Sequence, residues 1–259
     1  MQIPKEGFFF NEETHRYYYD GKAMTGVTTI LNVIAKPALI GWAARMAVEH
    51  IEKNFPTAEE LFENPKIFTE LLEEAKTAHA QKRDKAGDVG KIAHKLCELY
   101  IKSEDGEVEG YNELPDEKKK LVDTMRDHFV SWAEKNSVKF LESEKKVYNK
   151  DWFVGGTYDF KCEIEGKVYI GDIKTGGVYD RTPFAQCAAY QYMEQKMNPE
   201  VKIDDRLIVN LKKDGKFDEE KDVYVSEHYE DDLKLFEAAL EIYRNMKNRF
   251  EPLKVNYSK

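Results

Sequence analysis

A mixed α/β fold is predicted from three features of the 259-residue sequence. The front half carries apolar residues at helical spacing, and the back half carries short strand-like runs around a tight turn. Between two of those runs lies one more helical segment, so strands and helices alternate. A helical front feeding a strand–hairpin–helix–strand back predicts one mixed α/β unit with an N-terminal β-hairpin and helical elaboration. The change of pattern divides the chain into a hairpin-plus-helix region over 1–135 and a core over 136–259.

Phe8-Phe9-Phe10 and His15-Arg16-Tyr17-Tyr18-Tyr19 read as two short aromatic strands. An Asp20-Gly21 turn follows, then the run Val27-Thr28-Thr29-Ile30-Leu31. Beyond Pro37, Leu39, Trp42, Ala43, Met46, Ala47 and Ile51 share one helical face. Residues 57–80 predict acidic amphipathic helices broken near Asn64-Pro65, and a further helix over 88–102 begins after a break at Gly87. The stretch 103–112, rich in Glu and Gly, is the clearest loop, and a helix over 115–136 follows it. Strands are predicted at 140–148, 154–162 and 167–173, the last two joined by a Glu165-Gly166 turn. A helix over 182–197, strands at 206–211 and 222–225, and a closing helix over 230–250 complete the chain.

Lys and Arg number 40 against 49 Asp and Glu, a net charge of −9, with 41% hydrophobic and 12% aromatic residues. Such a chain can bury a core, and its aromatic content argues against disorder. No apolar run approaches the ~20 residues of a membrane span. The opening Met1-Gln2-Ile3-Pro4-Lys5-Glu6 lacks a signal-peptide apolar stretch, so a soluble cytoplasmic protein with no membrane partner is expected. Three scattered cysteines, Cys97, Cys162 and Cys187, fit free thiols in a reducing compartment. As a global sum, the acidic balance speaks against nucleic acid as a partner.

The stretch that carries chemistry is Gly155-Gly156-Thr157-Tyr158-Asp159-Phe160 with Tyr169-Ile170-Gly171-Asp172-Ile173-Lys174-Thr175-Gly176. On a hairpin, Asp159 and Asp172 fall on neighbouring strands, and Lys174, two residues beyond Asp172, shares its face. Two carboxylates and an ammonium converging at a strand end suit metal-assisted phosphodiester hydrolysis. Carboxylates hold a hard divalent cation, which polarises the phosphoryl oxygen and acidifies a bound water. The spacing alone is cheap, since Asp20-Gly21-Lys22 and Asp214-Gly215-Lys216 repeat it. An ion pair at a sheet end therefore stands as the alternative. Asp172 lies within an otherwise apolar strand, however, and a buried carboxylate needs a partner or a metal.

These residues, with three further patterns, resemble the PD-(D/E)XK nucleases. The similarity is to the RecB-like branch that includes CRISPR-adaptation exonucleases and the mitochondrial genome maintenance exonuclease. The further patterns are Gly90-Lys91-Ile92-Ala93-His94, Glu144 within Ser143-Glu144-Lys145-Lys146-Val147, and Gln186-Cys187-Ala188-Ala189-Tyr190. The resemblance implies a restriction-endonuclease-like core, a mixed central sheet flanked by helices. It implies His94, Asp159, Asp172 and the Ile173 backbone carbonyl as ligands of Mg²⁺ or Mn²⁺, Lys174 as the catalytic lysine, and Gln186 and Tyr190 as supporting groups. Glu98, one turn beyond His94, and Glu144 are further ligand candidates. The family's eponymous proline is absent, Thr157-Tyr158 preceding Asp159, and no cysteine follows Cys187, so no iron–sulfur cluster is expected. The implied activity is exonucleolytic cleavage of single-stranded DNA or DNA ends, beside a replication or recombination protein. The alternative is a nuclease-like fold kept as a DNA-binding or assembly module without turnover.

Lys82, Arg83, Lys91 and Lys95 surround His94 as a candidate backbone-contacting stripe, with Lys145, Lys146 and Arg181 as further phosphate contacts. An ordinary solvated face is the competing account. The aromatic hairpin offers stacking surface in principle, and packed tyrosines are the simpler explanation. For DNA the local basic patch, rather than the net charge, is the expected determinant.

Overall fold

Aromatic strands open the chain in the computed structural model, which describes residues 3–34, 36 and 38–247. β1 (Phe8–Asn11), β2 (Arg16–Tyr19) and β3 (Lys22–Ala23) form a small antiparallel sheet. Phe8 stacks on Tyr148 with ring centroids 4.4 Å apart, and the Tyr17 and Thr157 hydroxyls meet at 2.9 Å. The hairpin is thus packed against the main sheet, and these rings are not a free stacking platform. The run Val27–Leu31, whose composition favours strands, forms helix α1. Val27, Ile30 and Leu31, at i, i+3 and i+4, bury in the core, and that burial overrides intrinsic propensity.

Helix α2 (Ala38–Lys53) is followed by α3 (Ala58–Glu63), which Thr57 and Glu60 start with a reciprocal capping box. Helix α4 (Lys66–Lys102) then runs 37 residues without interruption. The predicted stop at Asn64-Pro65 is present, whereas the predicted break at Gly87 is absent. A helical glycine costs only about 1 kcal/mol, and Val89, Ile92, Ala93 and Cys97 bury one face of the same stretch. Helix α5 (Asp116–Lys135) follows Pro115 with two acids in its first turn. It lays Val122, Met125, Phe129, Trp132 and Ala133 against that face of α4 and against the sheet.

The main sheet has six strands. β6 (Val154–Ile164) lies against β5 (Lys139–Asn149) on one edge, antiparallel, from Lys139↔Glu163 to Asn149↔Val154. Its other edge is shared. β4 (Thr25–Gly26) pairs with Val154 and Gly155 in parallel, and β7 (Lys167–Lys174) pairs with Phe160 to Ile164 in the predicted hairpin. From β7 the chain crosses through α6 (Thr182–Met197) to β8 (Asp205–Asn210), parallel to β7 and buried at every position. A short helix α7 (Glu219–Asp222), absent from the sequence reading, precedes the antiparallel edge strand β9 (Val223–Ser226). The closing helix α8 (Tyr229–Lys247) agrees with the predicted one up to Lys247, and 248–259 lie outside the described residues.

Two cores flank the sheet. One joins α1, α6 and α8 through Ile30, Tyr158, Ala189, Tyr190 and Phe236, and the other joins α4 and α5 through Cys97, Phe129, Phe160 and Ile173. Because β4 enters the main sheet and α1 enters the first core, residues on both sides of position 135 build the same body. No helix among the described residues is long and apolar enough to cross a membrane.

Close packing makes Gly156 sensitive. A Cβ there would lie 2.3 Å from the buried Tyr190 ring. Gly156→Ala is expected to destabilise the fold by about 1–3 kcal/mol through displacement of α6, measured by urea denaturation.

Candidate active site

The hairpin of β6 and β7 opens where the chemistry-bearing residues sit. Its last paired residues are Phe160 and Gly171, so continued register would set Asp159 opposite Asp172. Instead the strands part, and Gly156 to Asp159 have no strand partner on this edge. The Asp159 carboxylate fills the gap, Oδ2 accepting a 2.6 Å hydrogen bond from the Ile173 amide. Lys174, the next residue, turns its carbonyl the other way, to the Leu211 amide of the β8 side. Since N–H and C=O of one strand residue face the same edge, the Ile173 carbonyl looks into the same gap as its amide.

Asp159 also marks a change of side in β6. Tyr158 packs with α6, whereas Phe160 packs with Phe129 and Trp132 of α5. Two residues apart on a regular strand would share a face. Across from Asp159, Glu144 adopts a left-handed backbone with φ of 52°, and the pairs on either side of it, Ser143↔Phe160 and Lys145↔Tyr158, straddle the irregularity.

Asp172, 2% exposed, reaches the gap from β7. Gln186 of α6 spans it and the lysine, Nε2 donating to Asp172 Oδ1 at 2.9 Å while Oε1 accepts from Lys174 Nζ at 3.1 Å. Nε2 also donates to the Tyr190 hydroxyl at 3.1 Å. Lys174 Nζ lies 2.6 Å from Asp172 Oδ2 as an ion contact. That oxygen is buried, and the Lys174 ammonium is the partner it faces among the described residues. Burial pushes the Asp172 carboxyl up to about 6, against the pull of Lys174 and with a push from Asp159. For Lys174, burial favours the neutral amine, but Asp172 and Asp159 outweigh it and hold the ammonium above its ordinary pKa. Burial also raises the Cys187 thiol well above its ordinary value, so it behaves as a packing group.

Helix α4 delivers His94, whose Nδ1 is 3.4 Å from Asp159 Oδ2. A close approach makes this possible: a Cβ on Gly90 would stand 2.7 Å from Thr175 Oγ1, just past the end of β7. Asn210, oriented with its amide nitrogen toward the same segment, donates to the carbonyls of Lys174 (3.1 Å) and Gly176 (2.7 Å). Among the described residues no three His, Cys, Asp or Glu side chains are gathered as a metal-binding group. The side chains stand as pairs, with the ammonium on one carboxylate and the imidazole on the other. The donor set nonetheless suits a hard divalent ion: two carboxylates, one imidazole and a carbonyl in the strand gap.

The remaining candidates separate. Glu98 is held by Lys95 (2.8 Å) and Lys102 (2.5 Å), so its carboxylate is spent in ion pairs. Glu144 is half-buried, and burial, then Asp159 and Glu98, raise its carboxyl to about 7. Lys82 sits 3.8 Å from Glu49, Arg83 pairs with Asp84, and Lys91 lies 3.7 Å from Asp88. Lys91 and Lys95 look onto a groove walled by Glu107, Glu109 and Glu113, an acidic surface opposite the supposed DNA stripe. Lys145 belongs to a cluster with Glu142, Lys161, Glu194 and Tyr158 that ties β5 and β6 to α6. Lys146 reaches Glu12 at 3.2 Å and lies over the Phe10 ring. Arg181 is clamped to the buried Asp232 at 2.6 Å. Each of the predicted phosphate contacts therefore already stands against an acid.

Sequence reasoning missed a pocket of about 170 Å³ beside Lys174 and Gln186, lined by Thr28, Leu31, Asn32, Lys36, Thr182 and Pro183. Its α1 wall was hidden because Val27–Leu31 carries strand-favouring residues. No known family model and no curated protein matches the chain.

A carboxyl whose folded pKa lies above its unfolded one binds its proton more readily in the folded state. Stability is then gained below that window and lost as pH rises through it. For Glu144 the window runs from about 4.3, the ordinary value, to about 7. Glu144→Gln is expected to raise stability at pH 8 by about 2 kcal/mol and to leave it little changed at pH 4. Thermal melts in EDTA at both pH values check this.

Proposed function

We propose that this protein is a divalent-metal-dependent DNA nuclease of the PD-(D/E)XK type, hydrolysing phosphodiester bonds at single strands or strand ends. The observation that carries this reading is the opened β6–β7 hairpin. There Asp159 takes a strand amide in place of a β partner, beside the buried Asp172 and the ammonium of Lys174. The sheet of six mixed strands between two helical layers supports assignment to a restriction-endonuclease-like core.

Asp159, Asp172, His94 and the Ile173 carbonyl are the groups that would hold Mg²⁺ or Mn²⁺. A bound divalent cation supplies charge neutralisation at the phosphoryl oxygen and acidifies a water. Lys174 places its ammonium beside the same carboxylate, where it orients the attacking water and offsets negative charge developing on the phosphate. Gln186 fixes both partners at once, its carbonyl on the ammonium and its amide on the carboxylate, while Tyr190 and the Gly156 contact fix Gln186 through α6. Asn210 steadies the segment that leaves the lysine. The partner proposed for this site is DNA, in the company of a replication or recombination protein.

A second reading, a DNA-binding module without turnover, draws on one observation: the ligand side chains are paired with each other rather than gathered. The two readings part in one experiment. With end-labelled single- and double-stranded oligonucleotides, wild type is expected to release product in Mg²⁺ or Mn²⁺ and none in EDTA. Asp172→Asn and Lys174→Ala are each expected to slow release by about 10²–10³-fold or more, with unchanged circular dichroism. No release by wild type, or variants cutting at the wild-type rate, overturns the nuclease reading.

A further inference from the structure

The pocket beside Lys174 has a composition that the proposed hydrolysis does not use. Its apolar lining is Leu31 and Pro183, and its polar lining is Thr28, Asn32, Lys36 and Thr182 together with Lys174 and Gln186 of the site. Thr28, Asn32 and Lys36 are exposed, and their side chains make no hydrogen bond to another described residue. Lys174 has its charge balanced by Asp172 at 2.6 Å. Among the described residues Lys36 has no carboxylate at contact distance; the ionised Asp180 acts on it only at longer range, its oxygen held by the amide and hydroxyl of Thr182. The pocket therefore presents one ammonium without a contact ion pair and two polar side chains without a partner among the described residues, and no carboxylate lines it.

That chemistry selects an anion. A volume of about 170 Å³ lies below the 300 Å³ or so at which pockets begin to enclose a whole small ligand. It admits a phosphate group with a few waters and not the nucleoside behind it. The backbone amides at the start of α6 are spent, Thr182 on Asp180 and both Phe184 and Ala185 on the Arg181 carbonyl. Side chains, not a helix terminus, would hold the ligand. A terminal phosphomonoester carries about −1.5 to −2 charges at neutral pH, more than an internal diester, and so gains most from a second ammonium.

We propose that this pocket binds the terminal phosphate of a DNA strand, with Lys36 as its principal cation and Thr28 and Asn32 as hydrogen-bonding partners. The assignment rests on the nuclease reading for the identity of the strand, and it places a phosphorylated end one pocket away from the Asp159–Asp172 gap. An enzyme so built counts from the end, because a phosphate held in this pocket fixes how far the strand extends to the cleavage point.

The test separates binding from cleavage. Fluorescence anisotropy of wild type in EDTA is measured with one single-stranded oligonucleotide carrying a 5′-phosphate, a 3′-phosphate or hydroxyls at both ends. One phosphorylated form is expected to bind about tenfold more tightly than the hydroxyl form. In Lys36→Ala, and independently in Asn32→Ala, the ratio is expected to fall to within about twofold, with melting temperatures confirming the fold. Equal binding of the three ends by wild type, or a preference that survives both substitutions, overturns the pocket. Cleavage in Mg²⁺ is scored on the same oligonucleotides. An end preference without cleavage overturns hydrolysis and leaves the pocket standing, whereas cleavage without end preference does the reverse.

Discussion

One hydrogen bond organises the site: the Asp159 carboxylate accepting from the Ile173 amide at the point where β6 and β7 part. A buried strand amide must be satisfied, and an unpaired one costs about 1–3 kcal/mol. A neighbouring strand would ordinarily supply the acceptor. Here a side chain does so, which lets the two strands diverge without an orphaned donor. The divergence in turn leaves the Ile173 carbonyl and the Asp172 carboxylate facing a gap rather than a ladder. A cation site in a sheet requires this: oxygen atoms released from β pairing yet held in place by the strands around them.

The helices converge on that gap because small residues allow it. Gly90 brings α4 against Thr175, and Gly156 admits the Tyr190 ring of α6. Each contact carries a functional candidate, His94 from the first helix and Gln186 from the second. The arrangement also makes the site electrostatically tense. Burial opposes ionisation of Asp172, while Lys174 favours it and Asp159 opposes it again. A carboxylate, an ammonium and a second carboxylate are stable together in one apolar setting because the Lys174 ammonium is counterion to both acids. Removing one member leaves an uncompensated buried charge.

Much of this was legible in the sequence. The hairpin around Glu165-Gly166, the helix over 182–197 and the shared face of Asp172 and Lys174 follow from period-two and period-3.6 patterns, because local geometry sets them. His94 and Gln186 entered as site candidates only through resemblance, since nothing local joins α4 or α6 to the strands that carry Asp159 and Asp172. Other features had no local signal. The 37-residue α4 contradicts a glycine rule because burial of Val89, Ile92 and Cys97 outweighs the glycine penalty. α1 contradicts a β-branched rule for the same reason. The parting of the hairpin at Asp159 depends on a bond between side chain and backbone across strands, which no periodicity encodes. Long-range burial decides these cases, and a one-dimensional pattern carries only its average.

Charge shows the same limit from another direction. A net charge of −9 speaks against DNA, and a run of lysines and arginines around His94 speaks for it, yet both sums count charges without their partners. Paired in three dimensions, Lys82, Arg83, Lys91, Lys95, Lys145, Lys146 and Arg181 each stand against an acid. Except for Arg181, whose partner Asp232 is buried, these pairs are at least partly exposed; such pairs contribute little to stability and can exchange an acid for a phosphate at small cost. They can steer a polyanion weakly and in a salt-dependent way, but they cannot fix its register. Register needs a cation whose counterion must come from the ligand, held in a pocket of fixed volume. Lys36, absent from every sequence pattern that drew attention, occupies such a position because no carboxylate lines its pocket and the Asp180 in its field is held by Thr182 rather than drawn into contact. The relevant quantity is neither the total charge nor its local density but the charge left over after the fold has paired the rest.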